Sequence, residues 1–457
     1  MAKINTEPLS GMRDFLPLDV LRRDYVTETV KRVYQRYGFE PLETPTMERL
    51  TTLLGKYGDE GDQLIFRVLK RGEKLERALA DAPTENNVSD AGMRYDLTVP
   101  LARVVAEYRS RLPRFFKRYQ MQPVYRADRP AKGRYREFWQ CDADIVGSTS
   151  MLADADVVSI VIESLRGVQM PNFVVHINHR KLLESLALYA GVSAEQAPGV
   201  YRAIDKLAKI GEGGVARELE ATGVESGIAR RIVDLVSTSG APDAVLSAIS
   251  ERLSSIDLAR EAISDLEDLF EYLAALGAPP EHYVLDLALA RGLEYYTGPV
   301  FETTVDEPKI GSLGGAGRYD GLVGMFSGQD IPATGMSLGL ERIIDVVEEL
   351  DLLSVGATTS DVFVTIFDSD RIGESLSIAT RLRQAGIPTE VSMEENRDLG
   401  RQLRYASRRK IPYALVIGPD EIAKGVVVVR DMASGDQTSV ADDALEAYLT
   451  DQLTGRT

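Results

Sequence analysis

The segment of residues 123–147 constrains the fold most strongly, because polar side chains alternate along a strand that is otherwise apolar. Successive side chains of an extended strand point to opposite faces of the sheet. One face would therefore carry Phe138, Gln140, Asp142 and Asp144. The opposite face would carry Trp139, Cys141, Ala143 and Ile145. This pattern predicts a core on one side of the strand and the polar wall of a pocket on the other.

A cationic turn precedes this strand. Residues 127–135 combine Pro130 and Gly133, which favour turns, with a set of cations: Arg129, Lys132 and Arg134. Arginine and lysine in a hairpin loop are suited to holding phosphate groups. Carboxylates beside such a loop indicate a substrate that carries an ammonium group and meets a nucleotide.

The distribution of charge is more informative than its total. The formal net charge is −17, which argues against a polyanionic partner. However, 11 Lys or Arg and only two acids fall between Arg103 and Arg136, and residues 401–410 hold five cations and no acid. Arg401, Arg404 and Arg408 are spaced to share one helix face. The second cluster alone could equally be a solvated face, but two basic islands together favour a phosphate-bearing polymer.

Length and composition set outer limits. The 457 residues allow about three domains, and 44% hydrophobic with 27% charged residues is ordinary for a soluble globular chain. A single cysteine, Cys141, excludes an internal disulfide and favours a reducing, cytoplasmic setting. We expect no targeting or membrane segment, because no apolar run approaches the roughly 18 residues needed. The three histidines, His176, His179 and His282, are expected to be structural or surface residues without a metal cluster.

The order of elements in the first part favours an α+β fold. Residues 19–36 have the pattern of an amphipathic helix, and the following GFEPLETPTM is typical of an edge strand because of Pro41 and Pro45. Residues 93–100, MRYDLTVP, alternate and predict another strand that would be a second pocket wall. Its polar face would carry Arg94, Asp96 and Thr98.

The rest of the chain has three regions with different sequence patterns: a helical region, a strand-forming and glycine-rich region, and a C-terminal region of alternating strands and helices. Residues 196–276 have helical patterning, and strand character returns after residue 282. Seven glycines between Gly311 and Gly328 fit neither a Walker loop nor a Rossmann fingerprint, and predict backbone packed tightly beneath a ligand. A strand then enters a helix with Arg342 in its first turn.

After a linker near 349–358, alternating strands and helices predict a separate α/β domain of about 100 residues with one basic helix.

These motifs resemble the histidyl-tRNA synthetase family of class II aminoacyl-tRNA synthetases, over the whole chain. GFEPLETPTMERL resembles motif 1, centred on Pro45; residues 124–147 resemble motif 2; and GMSLGLERI resembles motif 3. RGLEYYTGPVFE at 291–302 and GRYDGL at 317–322 are similar to the two histidine signatures. The sequence departs from the family pattern at Glu294, where aspartate is usual, at GGAGRYDGL, and at Ala131 in the motif 2 loop.

The resemblance implies an α+β fold in which an antiparallel-sheet catalytic domain carries a helical insertion and is followed by an anticodon-binding domain. The implied boundaries are 1–195 and 277–350 for the catalytic domain, 196–276 for the insertion and 358–457 for the last domain. It further implies activation of L-histidine by ATP, with accompanying Mg²⁺, and transfer to tRNA(His) by a cytoplasmic homodimer joined through motif 1.

The resemblance also assigns site residues. Arg126 and Arg291 are the expected catalytic residues, and both would contact histidine and the α-phosphate of ATP. The other expected histidine-binding residues are Asp96, Thr98, Gln140, Asp144, Tyr295 and Tyr296. ATP is expected to contact Arg126, Arg134, Phe138 and Arg342, with Phe138 stacking on adenine. No role follows for Asp142.

Two alternatives stay open at this stage. One is the synthetase-like regulatory subunit of ATP phosphoribosyltransferase, which typically lacks the anticodon-binding domain and the intact histidine signatures. The other is a synthetase for another amino acid with the same C-terminal domain, such as glycine or proline. Residues 358–457 and RGLEYYTG argue against the first, and Arg291 and Tyr296 in their signature argue against the second.

Overall fold

An eight-stranded mixed sheet supports the larger part of the chain in the computed structural model. The structure describes residues 4–81, 83–193, 195–292, 296–353, 356–394 and 398–454, with only the backbone of 58–60. The chain divides into two compact units, of which the first comprises Met1–Asp14 and Tyr25–Leu353 and the second Phe15–Asp24 and Ser354–Thr457.

The first part of the chain contributes a long helix, the edges of two sheets and the start of the central hairpin. Its elements are α1 (Pro17–Arg36), β1 (Glu40–Pro41), β2 (Met47–Arg49), α2 (Leu50–Leu53), α3 (Gly58–Gln63), β3 (Arg67–Leu69), α4 (Glu73–Asp81), α5 (Glu85–Val88), β4 (Ser89–Met93), α6 (Thr98–Tyr108), β5 (Phe116–Tyr125) and β6 (Glu137–Val146). The predicted helix at 19–36 is confirmed. The proline-containing strand is also confirmed as an edge strand, since β1 pairs only with β5 and β2 is the edge of a three-stranded sheet, β2-β4-β3.

The strand predicted across residues 93–100 is wrong beyond Met93. Strand β4 ends there, and Thr98 is the first residue of helix α6. Asp96 accepts a hydrogen bond from the backbone N–H of Val99 at 3.1 Å, which caps the helix. Pro100 is tolerated in this first turn because its missing N–H would have no partner there in any case. Asp96 and Thr98 therefore lie at a helix start and not on a strand face.

The middle of the chain completes the large sheet and adds a block of helices. Its elements are α7 (Met151–Gly167), β7 (Phe173–His179), α8 (Arg180–Tyr189), α9 (Ala197–Ile204), α10 (Leu207–Ala221), α11 (Ser226–Val236), α12 (Pro242–Leu253), α13 (Asp257–Ala275), β8 (Tyr283–Leu285), β9 (Pro299–Val305), β10 (Gly314–Arg318), α14 (Gly324–Ser327), β11 (Ala333–Gly339) and α15 (Leu340–Glu349). The sheet order is β1-β5-β6-β11-β10-β9-β7-β8, so β6 lies between β5 and β11.

The glycine-rich segment forms a strand inside the sheet. Strand β10 pairs with β11 on one side and β9 on the other. A Cβ atom at Gly314 would lie 2.6 Å from the carbonyl oxygen of Ser337, and one at Gly317 would lie 2.8 Å from that of Pro299. The predicted tight packing is therefore present between neighbouring strands, and a Cβ atom at Gly317 would also lie 2.7 Å from the ring of Tyr296. That these glycines lie beneath a ligand stays a prediction.

The hydrophobic core lies on the apolar face of β6. Cys141 and Ala143 are fully buried there with Val30 and Tyr34 of α1 and with the apolar side of α7. Each fully buried aliphatic side chain contributes about 1.5–3 kcal/mol. This packing fixes which face of β6 is turned away from the core, and that face carries the polar residues predicted from the alternation.

The second unit has its own sheet and core. Its elements are β12 (Val362–Val364), α16 (Ile372–Gln384), β13 (Thr389–Val391), α17 (Leu399–Arg408), β14 (Tyr413–Val416), α18 (Pro419–Lys424), β15 (Val426–Asp431), β16 (Gln437–Ala441) and α19 (Leu445–Thr454). The sheet order is β13-β12-β14-β15-β16, and Val364, Leu382, Leu415 and Leu449 belong to its core. The predicted basic helix is α17, whereas α18, β16 and α19 were not predicted. Among the residues described, no helix is long and apolar enough to cross a bilayer.

A buried ion pair ties the glycine-rich strand β10 to α7. Arg318 and Asp154 are in contact with side-chain exposures of 5% and 0%. Removing one partner leaves an uncompensated buried charge, so Asp154→Ala should lower the free energy of unfolding by about 3–5 kcal/mol. Chemical denaturation of both variants checks this, with Arg36→Ala as control. Arg36 pairs with Glu163 on the surface at 3.0 Å, and its loss should cost less than about 1 kcal/mol. Equal losses in the two variants would contradict the assigned role of the buried pair.

Candidate active site

A layer of polar side chains covers the face of β6 that points away from the core. The register of the sheet sets this layer. Arg118, Gln120 and Gln122 of β5 lie opposite Asp144, Asp142 and Gln140, respectively. On the other side of β6, Gly335, Ser337 and Gly339 of β11 lie opposite the same three residues. The predicted alternation of β6 is confirmed, and its polar face is buried by groups from both neighbouring strands.

Residues from two neighbouring strands and one turn surround the carboxylate of Asp144: Arg118 of β5, Gly335 of β11 and Tyr319, which follows β10. Oδ2 of Asp144 lies 2.7 Å from Nη2 of Arg118, and the two side chains are 3% and 0% exposed. The hydroxyl of Tyr319 donates to Oδ1 of Asp144. Gly335 leaves the space for this carboxylate, since a Cβ atom there would lie 2.5 Å from Cγ of Asp144. Burial raises the pKa of Asp144, and Arg118 and Tyr319 act against that increase.

Gln140 and Asp142 each present an acceptor without a donor. Nε2 of Gln140 donates to the Ser337 hydroxyl at 2.8 Å, and Ser337 lies opposite Asp142 in the register of β11 against β6. Oε1 of Gln140 and Oδ1 of Asp142 are buried, and neither has a hydrogen-bond partner among the described residues. An unsatisfied buried acceptor costs about 1–3 kcal/mol, so this wall is suited to a ligand that brings hydrogen-bond donors.

Asp96 and Tyr296 complete the polar wall. Asp96 is 9% exposed and accepts from the hydroxyl of Tyr57 at 3.0 Å, in addition to capping α6. Thr98 lies at the start of the same helix and is partly buried. Burial raises the pKa of Tyr296, and the charges of Asp144, Asp142 and Asp96 raise it further. The phenol of Tyr296 therefore lies within electrostatic reach of all three carboxylates.

Four predicted arginines converge beside this wall. Nε of Arg342 donates to the carbonyl oxygen of Gly133 at 3.1 Å, which joins α15 to the turn between β5 and β6. The pKa of Arg342 is lowered first by burial and then by repulsion from other guanidinium groups, those of Arg134, Arg126 and Arg291. Such mutual repulsion shows that the four cations share one region, where an anion would be stabilised.

The cationic ends of this cluster are accessible to a ligand. Arg126 donates from Nε to the carbonyl oxygen of Tyr95 at 3.1 Å, and its guanidinium lies 4.2 Å from the Tyr95 ring and 5.2 Å from the Phe138 ring. Arg134 is 59% exposed and lies 3.8 Å from Asp128. Arg291 is 56% exposed; it contacts Glu302 and lies 3.8 Å from Asp205. Phosphate oxygens of a ligand could take the places of these carboxylates beside Arg134 and Arg291.

The structure brings most predicted site residues together. Asp96, Gln140, Asp144 and Tyr296 line the polar wall, the four arginines with Phe138 lie beside it, and Thr98 lies two residues after Asp96 at the start of α6. Tyr295 lies outside the described residues. Three contributors were not predicted: Arg118, Tyr319 and Ser337. Arg118 could have been found by counting back from the turn of the hairpin, because equal strand lengths place it opposite Asp144.

The histidines of the chain lie elsewhere. His179 is fully buried: its Nδ1 accepts from the backbone N–H of Lys181 at 3.1 Å, and its Nε2 therefore donates to Asp265 at 3.2 Å. His176 contacts Asp286 at 2.9 Å and Thr304 at 3.0 Å. These contacts give both residues structural roles, as expected. Within the described ranges, no three His, Cys, Asp or Glu side chains are grouped so as to hold a metal ion.

Comparison with known proteins agrees with this site. The model of the family "Histidyl-tRNA synthetase" matches residues 11–343, and that of the "Anticodon binding domain" matches residues 361–452. The chain is 40% identical to the histidine–tRNA ligase of Gloeobacter violaceus, over 94% of this chain and 96% of that one. It is 41% identical to the histidine–tRNA ligase of Aeropyrum pernix, over 96% and 97% of the two chains.

Solved structures extend the similarity to the fold. The histidyl-tRNA synthetase of Nostoc sp. superposes with a TM-score of 0.87 at 34% identity, covering 98% of this chain and all of that chain. A protein of Bacillus halodurans described as an ATP phosphoribosyltransferase regulatory subunit/histidyl-tRNA synthetase superposes with a TM-score of 0.73 at 21% identity, which shows a shared fold alone. The predicted α+β catalytic fold of class II with a C-terminal anticodon-binding domain is confirmed. The chain belongs to the histidyl-tRNA synthetase family.

Proposed function

We propose that the polar wall and the arginine cluster activate L-histidine with ATP and pass the histidyl group to the 3' end of tRNA(His), releasing AMP and pyrophosphate. The family membership makes the chain an ATP-dependent aminoacyl-tRNA ligase. The observation that carries the residue-level proposal is the pair of buried, unpartnered acceptors on Gln140 and Asp142 beside four converging arginines. The ligand must therefore carry hydrogen-bond donors at the end that meets these acceptors and anionic groups at the end that meets the arginines.

The polar wall would bind the amino acid. We assign the ammonium group to Asp96, Thr98 and Oε1 of Gln140, whose free lone pairs require a donor. A neutral imidazole has one donor and one acceptor nitrogen. Asp144 would accept from the ring N–H, and the hydroxyl of Tyr296 would donate to the other ring nitrogen. Tyr295 would line the same pocket through its place in the signature.

The arginine cluster would hold ATP. The histidine carboxylate attacks the α-phosphorus, a new C–O–P bond forms, and the bond to pyrophosphate breaks. Two anions must meet in this step, so fixed positive charge lowers the barrier. We assign Arg126 to the carboxylate and the α-phosphate, Arg291 to the α-phosphate, and Arg134 with Arg342 to the outer phosphates. Phe138 would stack on adenine, since its ring is partly buried beside Arg126.

Mg²⁺ would enter with the nucleotide. A magnesium ion that carries substrate phosphates usually keeps several waters and takes only one or two carboxylates. Glu302 is 13% exposed and lies against Arg291, and it also acts electrostatically on Arg342, so its carboxylate is placed to contribute one ligand. The ion would neutralise charge on the phosphates when bound.

The remaining assignments concern the partners and the domains. We propose that residues 358–457 bind the anticodon region of tRNA, that 196–276 form an insertion between the two catalytic parts, 1–195 and 277–350, and that motif 1 joins two copies of the chain. Cys141 is buried and, as the single cysteine of the sequence, forms no internal disulfide, which agrees with a cytoplasmic location. A purely regulatory role is disfavoured, because the arginine cluster and the histidine signature are both retained.

The role of Arg291 can be measured directly. Arg291→Ala should slow histidyl-adenylate formation by about 10²–10³-fold, because one preorganised donor to the transition state is lost. Single-turnover quench-flow with ATP labelled in the α-phosphate checks this. Arg260→Ala serves as control, since Arg260 is 59% exposed on α13 and pairs with Asp257. An unchanged single-turnover rate in Arg291→Ala would remove its proposed role.

The basic face of α17 should serve tRNA and not adenylation. Arg404 and Arg408 are both exposed on this helix. The double variant Arg404→Glu/Arg408→Glu should raise KM for tRNA at least about tenfold, because phosphate contacts are lost and repulsion is added. Histidine-dependent pyrophosphate exchange should stay within about twofold by the same reasoning. Lys74→Glu/Arg77→Glu on α4 makes the same charge change elsewhere, and an equal effect there would contradict the assignment.

The proposed homodimer predicts a sedimentation mass of two chains. Met47 is 57% exposed in the motif 1 segment, which is a high exposure for an apolar side chain. A partner that covers this segment would exclude a charge, so Met47→Asp should shift sedimentation velocity towards the mass of one chain. A monomeric wild-type chain at micromolar concentration would contradict the assignment of motif 1 as an interface.

A further inference from the structure

Asp142 occupies the centre of the polar wall, although the proposed function gives it no role. It lies between Gln140 and Asp144 on one face of β6, and opposite Gln120 and Ser337 on the neighbouring strands. Its side chain is 1% exposed, and Oδ1 has no hydrogen-bond partner among the described residues. A ligand that reaches from Gln140 to Asp144 must therefore pass over Asp142.

Ser337 links Asp142 to Gln140. A serine hydroxyl has one hydrogen to donate and can accept from other groups. Its oxygen accepts from Nε2 of Gln140 at 2.8 Å, so its hydrogen is available to the carboxylate of Asp142, which lies opposite Ser337 on β6. If the Gln140 amide were reversed, Oε1 would compete for that same hydrogen. The carboxylate thus selects the amide orientation in which Oε1 faces the pocket as an acceptor.

Buried carboxylates outnumber fully buried guanidinium groups around Asp142. The titratable groups that act on it or feel it are Arg118 of β5, Asp144 of β6, Asp96 before α6, Tyr34 of α1 and Tyr296. Arg118 is fully buried, but it forms its ion pair with Asp144. Three buried carboxylates thus face a single fully buried guanidinium. Burial raises the pKa of Asp142, Arg118 opposes this increase and Asp144 adds to it, and together these effects bring the pKa to about 8.

We propose that Asp142 is a positioning residue for the histidine ammonium group, acting through Ser337 to hold Gln140, and that it releases a proton when histidine binds. In the free protein Oδ1 would carry the proton. The arriving ammonium supplies positive charge, the carboxyl ionises, and its proton passes to solvent. This inference rests on the proposed function, since it takes the ligand to be histidine.

Proton release gives a direct test. Calorimetric titration of the full chain with L-histidine, in buffers of different ionisation enthalpy, measures the protons released on binding. At pH 7 the wild-type chain should release more protons than Asp142→Asn, and the difference should become smaller at pH 8.5. The proton is released and not taken up, because a pKa near 8 keeps the Asp142 carboxyl protonated below that pH before histidine binds. Affinity should accordingly rise as pH increases from 6.5 to 8.

Steady-state exchange separates positioning from folding. Asp142→Asn and Ser337→Ala should each raise KM for histidine about tenfold or more, with kcat within about threefold, since uniform substrate binding is what is lost. Ser337→Thr keeps the hydroxyl and should restore most of the affinity. Asp265→Asn, a carboxylate change on α13 next to His179, is the matched control and should leave KM unchanged.

Distinct outcomes identify which claim fails. No binding of histidine by the wild-type chain would overturn the proposed function itself. Binding with equal proton release in wild type and Asp142→Asn, or with unchanged KM in both Asp142→Asn and Ser337→Ala, would overturn the role of Asp142. If Asp142→Asn does not fold, the pH dependence of wild-type affinity decides, and a flat profile from pH 6.5 to 8 overturns the inference.

Discussion

The ion pair between Arg118 and Asp144 is the interaction on which the site depends. Both side chains are almost fully buried, at 0% and 3% exposure, in the middle of a sheet. Burying two charges is costly, and close contact with further hydrogen bonds offsets part of that cost. Nε of Arg118 is buried without a hydrogen-bond partner among the described residues, so the compensation is incomplete. Tyr319 supplies a further hydrogen bond, and Gly335 leaves the space. This pair therefore joins β5, β6 and the segment after β10 in one register.

That register separates the site into two regions of opposite charge. The wall over β6 offers carboxylates and amide oxygens, which suit an ammonium group and a ring N–H. Burial lowers the pKa of Arg342, and repulsion from the other arginines near the turn between β5 and β6 lowers it further. An incoming polyphosphate would relieve that repulsion. A histidine lying across the wall would direct its carboxylate towards the cations, where two anions can react because the charge is fixed in place.

The two faces of β6 could be predicted from the sequence because strand side chains alternate with a period of two. The same rule failed at residues 94–98, where the Asp96 carboxylate caps α6 and ends the alternation. Arg118 was missed although the hairpin turn sets the register of β5 against β6. Ser337 could not be predicted, because β11 pairs with β6 from a distant part of the sequence and no local signal sets that register. Tight packing at the glycines of β10 was predicted and is present, since β9 and β11 lie on either side of that strand, whereas a ligand above them stays a prediction.

The most direct measurement is amino-acid-dependent exchange of labelled pyrophosphate into ATP by the wild-type chain, in the absence of tRNA. The polar wall predicts exchange with L-histidine and, among the other standard amino acids, none above background, because a side chain without a ring N–H and a ring acceptor cannot form the hydrogen bonds proposed for Asp144 and Tyr296. Exchange that is absent with histidine, or that is supported equally by another amino acid, would contradict the account.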